Sequence, residues 1–177
     1  MKKYVRYVFS AVVGAVLCAA ACGNDACALS GKIREDENSS RKEESVAAPE
    51  FALKDLEGEI FTISQYRDRK PVILFFWTTW CANCREGMRV LNEQYPQISK
   101  ENIEVLSINV GEQKSKAAQF VQAHNLGFKV LLDPAAKTAG DYGLVGVPTY
   151  VIINKQGLVR FYDHFFPKDD FMRLAND

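Results

Sequence analysis

The spacing of apolar and polar positions divides the chain into three stretches. Residues 7–21 carry no charge and are rich in Val and Ala; three of the six residues before them are basic (Lys2, Lys3, Arg6). Residues 31–45 hold four basic and five acidic residues against one apolar side chain, Ile33. Such a stretch buries too little to offset its chain entropy, so 22–48 reads as a flexible tether. From Pro49 onward apolar residues return at regular intervals. Phe51–Ile63 predicts two short strands around Gly58. Pro71–Trp77 (PVILFFW) is nearly all apolar, β-branched or aromatic, and too short for a helix. It predicts a strand buried on both faces. Across 82–100, Met88, Leu91, Tyr95 and Ile98 recur at spacings of three and four, which predicts an amphipathic helix. Ile103–Val110 reads as a strand, and Ser115–His124 as a helix closed by Asn125-Leu126-Gly127. Lys129–Leu132 reads as a strand. Asp133-Pro134 should cap and start a helix to about Tyr142. Gly143–Pro148 is a loop. Thr149–Asn154 and Leu158–Asp163 form strands around an Asn-Lys-Gln-Gly turn, and Pro167–Leu174 forms a last short helix. The order β-β-β-α-β-α-β-α-β-β-α implies parallel pairing in the middle and an antiparallel close. The expected fold is α/β: one domain over 49–177, with a mixed sheet and helices on both faces.

Composition adds exclusions. A chain of 177 residues with 47% apolar and 25% charged residues is ordinary for one globular domain. Only one long apolar run exists, which excludes a multi-span membrane protein. The 22 basic and 22 acidic residues balance, but three basic ones lie in the leader, leaving 19 against 22 over 22–177, a net −3. That is not the footprint of a nucleic-acid partner.

The leader's 15 uncharged residues fall short of the roughly 20 needed to span a bilayer. They fit a signal peptide over 1–21. Ala19-Ala20-Ala21 before Cys22-Gly23 resembles the lipobox of bacterial lipoproteins, which would make Cys22 an acylated first residue. That pattern prefers Leu where Ala19 stands. Cleavage after Ala28, or an uncleaved anchor, are the alternatives. Each places the domain outside the cytoplasm, membrane-anchored or secreted to the periplasm. Cys27, in the tether, reads as incidental.

Of five cysteines, only Cys81 and Cys84 lie in the domain, which is not a disulfide framework. A structural zinc site needs four ligands. The two histidines, His124 and His164, lie 40 positions apart and form no pair. The Cys81-Ala-Asn-Cys84 segment stands where the apolar strand ends and the helix begins. A helix N-terminus offers unpaired N–H groups and about half a positive charge, both favouring a thiolate. A cysteine in such a place drops from about 8.5 to between roughly 3.5 and 7.5. Cys81 is therefore expected to be the exposed nucleophile and Cys84 the protected resolving thiol. An inert structural disulfide is the alternative.

Phe76-Trp77-Thr-Thr-Trp80-Cys81-Ala-Asn-Cys84-Arg-Glu resembles the active-site segment of the thioredoxin superfamily, and more narrowly the TlpA/ResA-like extracytoplasmic thiol-disulfide oxidoreductases. Leu53–Gly58, Asn109-Val-Gly-Glu112 and Gly146-Val147-Pro148-Thr149 resemble further family segments: an opening hairpin, a motif whose Glu lies near the cysteines, and a cis-proline loop. The resemblance implies a thioredoxin-like mixed sheet with an N-terminal β-hairpin extension. It implies reduction of disulfides in secreted or membrane-side proteins, apocytochrome c haem-site cysteines among them, with no cofactor beyond the Cys81–Cys84 disulfide. The implied partners are a disulfide-containing protein and an upstream thiol reductant, with the chain itself monomeric. Glu112 would carry a raised pKa and move a proton, or merely cap a helix. Val147 and Pro148 would hold an extended substrate chain, or Pro148 is an ordinary turn proline. Trp80 would cover one side of Cys81, and Trp77 would belong to the core.

Three positions depart from the family's pattern. Asn83 stands where Pro is common, Gly87 where an acid is usual, and Arg89 where Pro is usual. A redox-inactive or metal-delivering module on the same fold is the rival reading, with His164 as the only late candidate ligand. A thiol peroxidase would set its cysteine in a different local sequence.

Overall fold

The computed structural model describes residues 46–177. The leader over 1–21, Cys22, Cys27 and the tether as far as residue 45 lie outside the described residues. The elements run β1 (Val46–Ala47), β2 (Ala52–Asp55), β3 (Ile60–Thr62), a 3-10 turn (Ser64–Tyr66), β4 (Val72–Trp77), α1 (Ala82–Lys100), β5 (Glu104–Val110), α2 (Lys114–His124), β6 (Lys129–Asp133), α3 (Lys137–Asp141), β7 (Thr149–Ile153), β8 (Leu158–Asp163) and α4 (Phe171–Asn176). They build one eight-stranded sheet in the order β1-β8-β7-β4-β5-β6-β2-β3. β4, β5 and β6 run parallel; β7 lies antiparallel to β4. This is the mixed sheet expected.

The apolar run of β4 is the centre of the molecule, and all six of its residues are buried. Alternation along the strand sends them to opposite faces. Ile73, Phe75 and Trp77 join Met88, Leu91 and Ile98 of α1 and Phe171 and Ala175 of α4. Val72, Leu74 and Phe76 join Phe51, Tyr66 and Tyr142.

Local polar contacts set the corners. Asp55 ends β2 and is buried, and its Oδ1 accepts from the N–H groups of Glu57, Gly58 and Glu59. Those bonds tighten the turn in which Gly58 sits at φ +97°, a conformation open to glycine. Asn154 Oδ1 accepts from Leu158 N at 2.9 Å and closes the turn between β7 and β8.

Three boundaries differ from expectation. Val46 and Ala47 pair with Val159 and Leu158 of β8, and Ala48 is buried. Residues 46–48, assigned to the tether above, therefore belong to the domain. α3 starts at Lys137, not at Asp133-Pro134, because Ala136 takes a left-handed conformation (φ +54°). Asp133 still caps it, accepting from Lys137 N (3.0 Å) and Ala139 N (2.9 Å). α4 begins at Phe171, since Pro167 O accepts from Asp170 N and Phe171 N in a preceding turn.

α1 holds two features its periodicity conceals. Pro96 lies inside it and removes one helical donor. Gly87 faces β7, and a Cβ there would stand 2.1 Å from the Tyr150 hydroxyl and 3.5 Å from the Phe75 ring. The acid usual at this position has no room against Tyr150, whose ring stacks on Phe75 at 4.8 Å. Gly87→Ala is accordingly expected to lower stability by about 1–3 kcal/mol through overpacking, read as a shift in the urea midpoint at unchanged slope.

Candidate active site

Three strand ends meet at the cysteines. β4 delivers Thr78–Cys81, β5 ends just before Glu112, and β7 begins just after Pro148. The ladders pair Trp77 with Asn109 and Phe76 with Thr149, which fixes the three segments relative to one another.

Cys81 is the N-cap of α1, with extended backbone (φ −80°, ψ 111°). Its Sγ accepts from the Cys84 N–H at 3.1 Å. Cys81 and Cys84 are joined as a disulfide, with Cα atoms 5.2 Å apart. Cys84 is 1% exposed, a burial that suits the protected thiol expected there. Cys81 is 7% exposed, so the expected exposed nucleophile offers only a narrow opening. The cause is the loop before β7. The Val147–Pro148 peptide is cis, and Val147 O lies 3.6 Å from Cys81 Sγ.

Trp77 lies in the core as expected, whereas Trp80, expected to cover one side of Cys81, is mostly exposed. Trp77 is fully buried, its ring 5.1 Å from that of Phe120. Trp80 is 68% exposed, so its ring faces solvent beside Cys81 in the chain and is open to a partner.

Glu112 is buried and grips the loop before Cys81. One carboxylate oxygen accepts from Thr79 N (2.7 Å) and Asn109 Nδ2 (2.8 Å), the other from Thr79 Oγ1 (2.7 Å). Lys116 Nζ lies 2.6 Å from that second oxygen. Burial by itself would push this carboxyl up. The hydrogen bonds from Lys116, Asn109 and the Thr79 hydroxyl and backbone outweigh it and hold the carboxyl down at about 2. The raised pKa expected for a proton carrier is therefore not found. With its lone pairs engaged, Glu112 is a fixed anion that positions Thr79, two residues before Cys81. The capping alternative fails as well, because α2 begins two residues later with Gln113 as its N-cap.

Sequence reasoning missed Thr79 and Asn109. Asn109 stands within the Asn-Val-Gly-Glu segment already singled out; Thr79 carries no signal of its own. It also missed a groove of about 330 Å³ beside the dithiol, lined by Asn83, Gly87, Pro148, Tyr150, His164 and Phe166 among others. His164 Nδ1 lies 2.6 Å from Pro148 O. That tie occupies one nitrogen of the residue on which the metal-delivery rival depends. Among the described residues no group of three or more His, Cys, Asp or Glu could hold a metal ion, and no helix is long and apolar enough to cross a membrane.

Residues 45–162 match the AhpC/TSA family model. The chain is 39% identical over 113 residues to the thiol-disulfide oxidoreductase ResA of Geobacillus thermodenitrificans, covering 64% of each chain. It is 32% identical over 112 residues to ResA of Bacillus subtilis, covering 63% of this chain and 62% of that one. The chain thus spans less than two thirds of these relatives' length. A Chlorobium tepidum crystal structure provisionally identified as the thiol:disulfide interchange protein DsbE superposes with a TM-score of 0.67 at 27% identity, covering 73% of this chain and 93% of the other. StoA from Bacillus subtilis superposes with a TM-score of 0.61 at 22% identity, covering 73% and 98%.

Proposed function

The chain belongs to the AhpC/TSA family with a thioredoxin-like fold, and from that premise we propose that it is a membrane-tethered thiol-disulfide oxidoreductase reducing disulfides of secreted or membrane-side proteins. The observation that carries the reading is the Cys84 N–H donated to Cys81 Sγ at the N-terminus of α1. In the reduced protein the same donor and the helix dipole favour the Cys81 thiolate. That thiolate attacks a sulfur of the substrate disulfide and forms a mixed disulfide. The Cys84 thiol, deprotonated in turn, attacks Cys81 Sγ, releasing reduced substrate and leaving Cys81–Cys84 oxidised. An upstream thiol reductant restores the pair.

Val147, Pro148 and exposed Trp80 receive the substrate chain, and Glu112 holds the loop before the nucleophile in place. The haem-site cysteines of apocytochrome c are a substrate of the right chemistry. A lipid on Cys22 would keep the domain at the membrane surface. The domain needs no cofactor for this cycle beyond its own cysteines.

The test is a thiol-buffer titration of the full chain in detergent, read by tryptophan fluorescence. A reversible two-electron transition near roughly −270 mV, the thioredoxin range, supports reduction as the working direction. A value near roughly −120 mV, the DsbA range, reverses the direction. Absence of a reversible transition sinks the reading.

A further inference from the structure

We propose that His164 is a further catalytic residue, the proton donor to the sulfur that leaves the substrate disulfide. The inference rests on the thiol-disulfide reading above and assigns a group to a step that reading leaves open. Pro148 O, 2.6 Å from His164 Nδ1, can only accept. Thr149 Oγ1, 3.3 Å from the same nitrogen, donates its own hydrogen to Gly146 O at 2.7 Å. Nδ1 therefore carries a hydrogen in both charge states of the ring, and protonation changes Nε2 alone. Nε2 has no hydrogen-bond partner among the described residues.

His164 lines a groove whose wall includes residues adjoining the dithiol. Asn83, between the two cysteines, and Pro148, next to the carbonyl touching Cys81 Sγ, line the same groove. Val90, Tyr150, Phe165 and Phe166 make its remaining walls largely apolar. An alkyl thiolate departing into such surroundings is poorly solvated and gains from a proton.

The groove's other ionisable groups do not supply it. The Glu86 carboxylate is engaged by Arg89 at 2.6 and 3.0 Å. Burial and nearby Glu86 push the Tyr150 phenol up. The Lys168 ammonium is by type a weaker acid than a thiol. Histidine is the side chain whose charge changes between about pH 5 and 8.

The step balances within the substrate disulfide. The Cys81 thiolate pair forms the new S–S bond to the nearer substrate sulfur. The substrate S–S bond breaks, and its pair stays on the far sulfur. That sulfur takes the proton of His164 Nε2–H, leaving neutral imidazole, which solvent reprotonates.

The test compares two neutral probes on the reduced full chain. Dithiodipyridine releases an acidic aromatic thiol that needs no proton; hydroxyethyl disulfide releases an alkyl thiol that does. His164→Asn is the informative variant, because its amide N–H can replace Nδ1–H toward Pro148 O while removing the titrating nitrogen. The expected result is a rate within about twofold of wild type on dithiodipyridine and a loss on the order of 10²-fold on hydroxyethyl disulfide, the size of general acid catalysis. Equal losses on both probes would make His164 only a support of the Pro148 loop and overturn the proposal, leaving thiol-disulfide exchange standing. No loss on either would overturn it in the same way. A wild-type chain reacting with neither probe faster than a free dithiol would overturn the underlying reading as well.

Discussion

Cys84→Ser is expected to leave the protein covalently attached to its substrate, in near-stoichiometric yield, with turnover down at the uncatalysed rate. Cys81→Ser is expected to lose turnover equally and to form no adduct. The asymmetry follows from the geometry. Cys81 caps α1, receives the Cys84 N–H and meets the substrate-facing loop, whereas Cys84 lies one turn in and is sealed from solvent. In the proposed cycle Cys81 begins the exchange and Cys84 ends it. Non-reducing electrophoresis with a disulfide-containing protein separates the two variants. In Cys84→Ser the backbone N–H and the helix end persist, so Cys81 alkylation should still titrate well below the free-thiol value of about 8.5, between roughly 3.5 and 7.5. Alkylation at the free-thiol value would mean that the N-cap does not activate the sulfur. Adducts in both variants would remove the assignment of nucleophile and resolving thiol.

Glu112→Ala should cost about 3 kcal/mol of stability, since it strips a charged acceptor from Thr79 N, Thr79 Oγ1 and Asn109 Nδ2 together. Glu112→Gln should cost less, because one amide oxygen can still accept from part of the set. The pH dependence has a definite sign. The carboxyl lies at about 2 in the folded chain, against an ordinary glutamate value of about 4.3 in the unfolded one. Its contribution is present in full above pH 4.3 and is lost as pH falls through about 2. Denaturant melts of wild type and Glu112→Gln should therefore converge as pH falls through that interval. A constant gap down to pH 2 would show that the carboxylate is not the stabilising species. The same variants separate positioning from proton transfer. A positioning residue should alter the Cys81 alkylation profile through Thr79, while adding no step with its own pH dependence near neutrality.

Much of the site was legible because its signals are local. PVILFFW declares a doubly buried strand, and a Cys-x-x-Cys pair at the strand–helix junction declares a helix N-cap, whatever lies elsewhere in the chain. The segments around Glu112 and Pro148 were readable only through family resemblance, since their meaning depends on a ladder that sets Asn109 opposite Trp77 and Thr149 opposite Phe76. What stayed illegible depends on distant partners. β1 exists because residues more than 100 positions later offer it an edge. Gly87 looks like a weak point in a helix until Tyr150 is seen against it. The low pKa of Glu112 needed four donors from three segments, where the sequence supplied only a carboxylate near a thiol. α3 moved because Ala136 adopts a left-handed backbone that no alanine advertises.

The two-residue β1 at the rim of the sheet also has a mechanical meaning. Load arriving along the chain ahead of Val46 acts first on β1, whose contact with the sheet is two residue pairs to β8. β4, which bears the dithiol, lies three places inward behind β8 and β7. A pull of that kind would peel away β1 as a fuse would yield and then pass along the chain to β2, which β6 and β5 separate from β4 on the other side, sparing the spacing of Cys81 from the Pro148 loop.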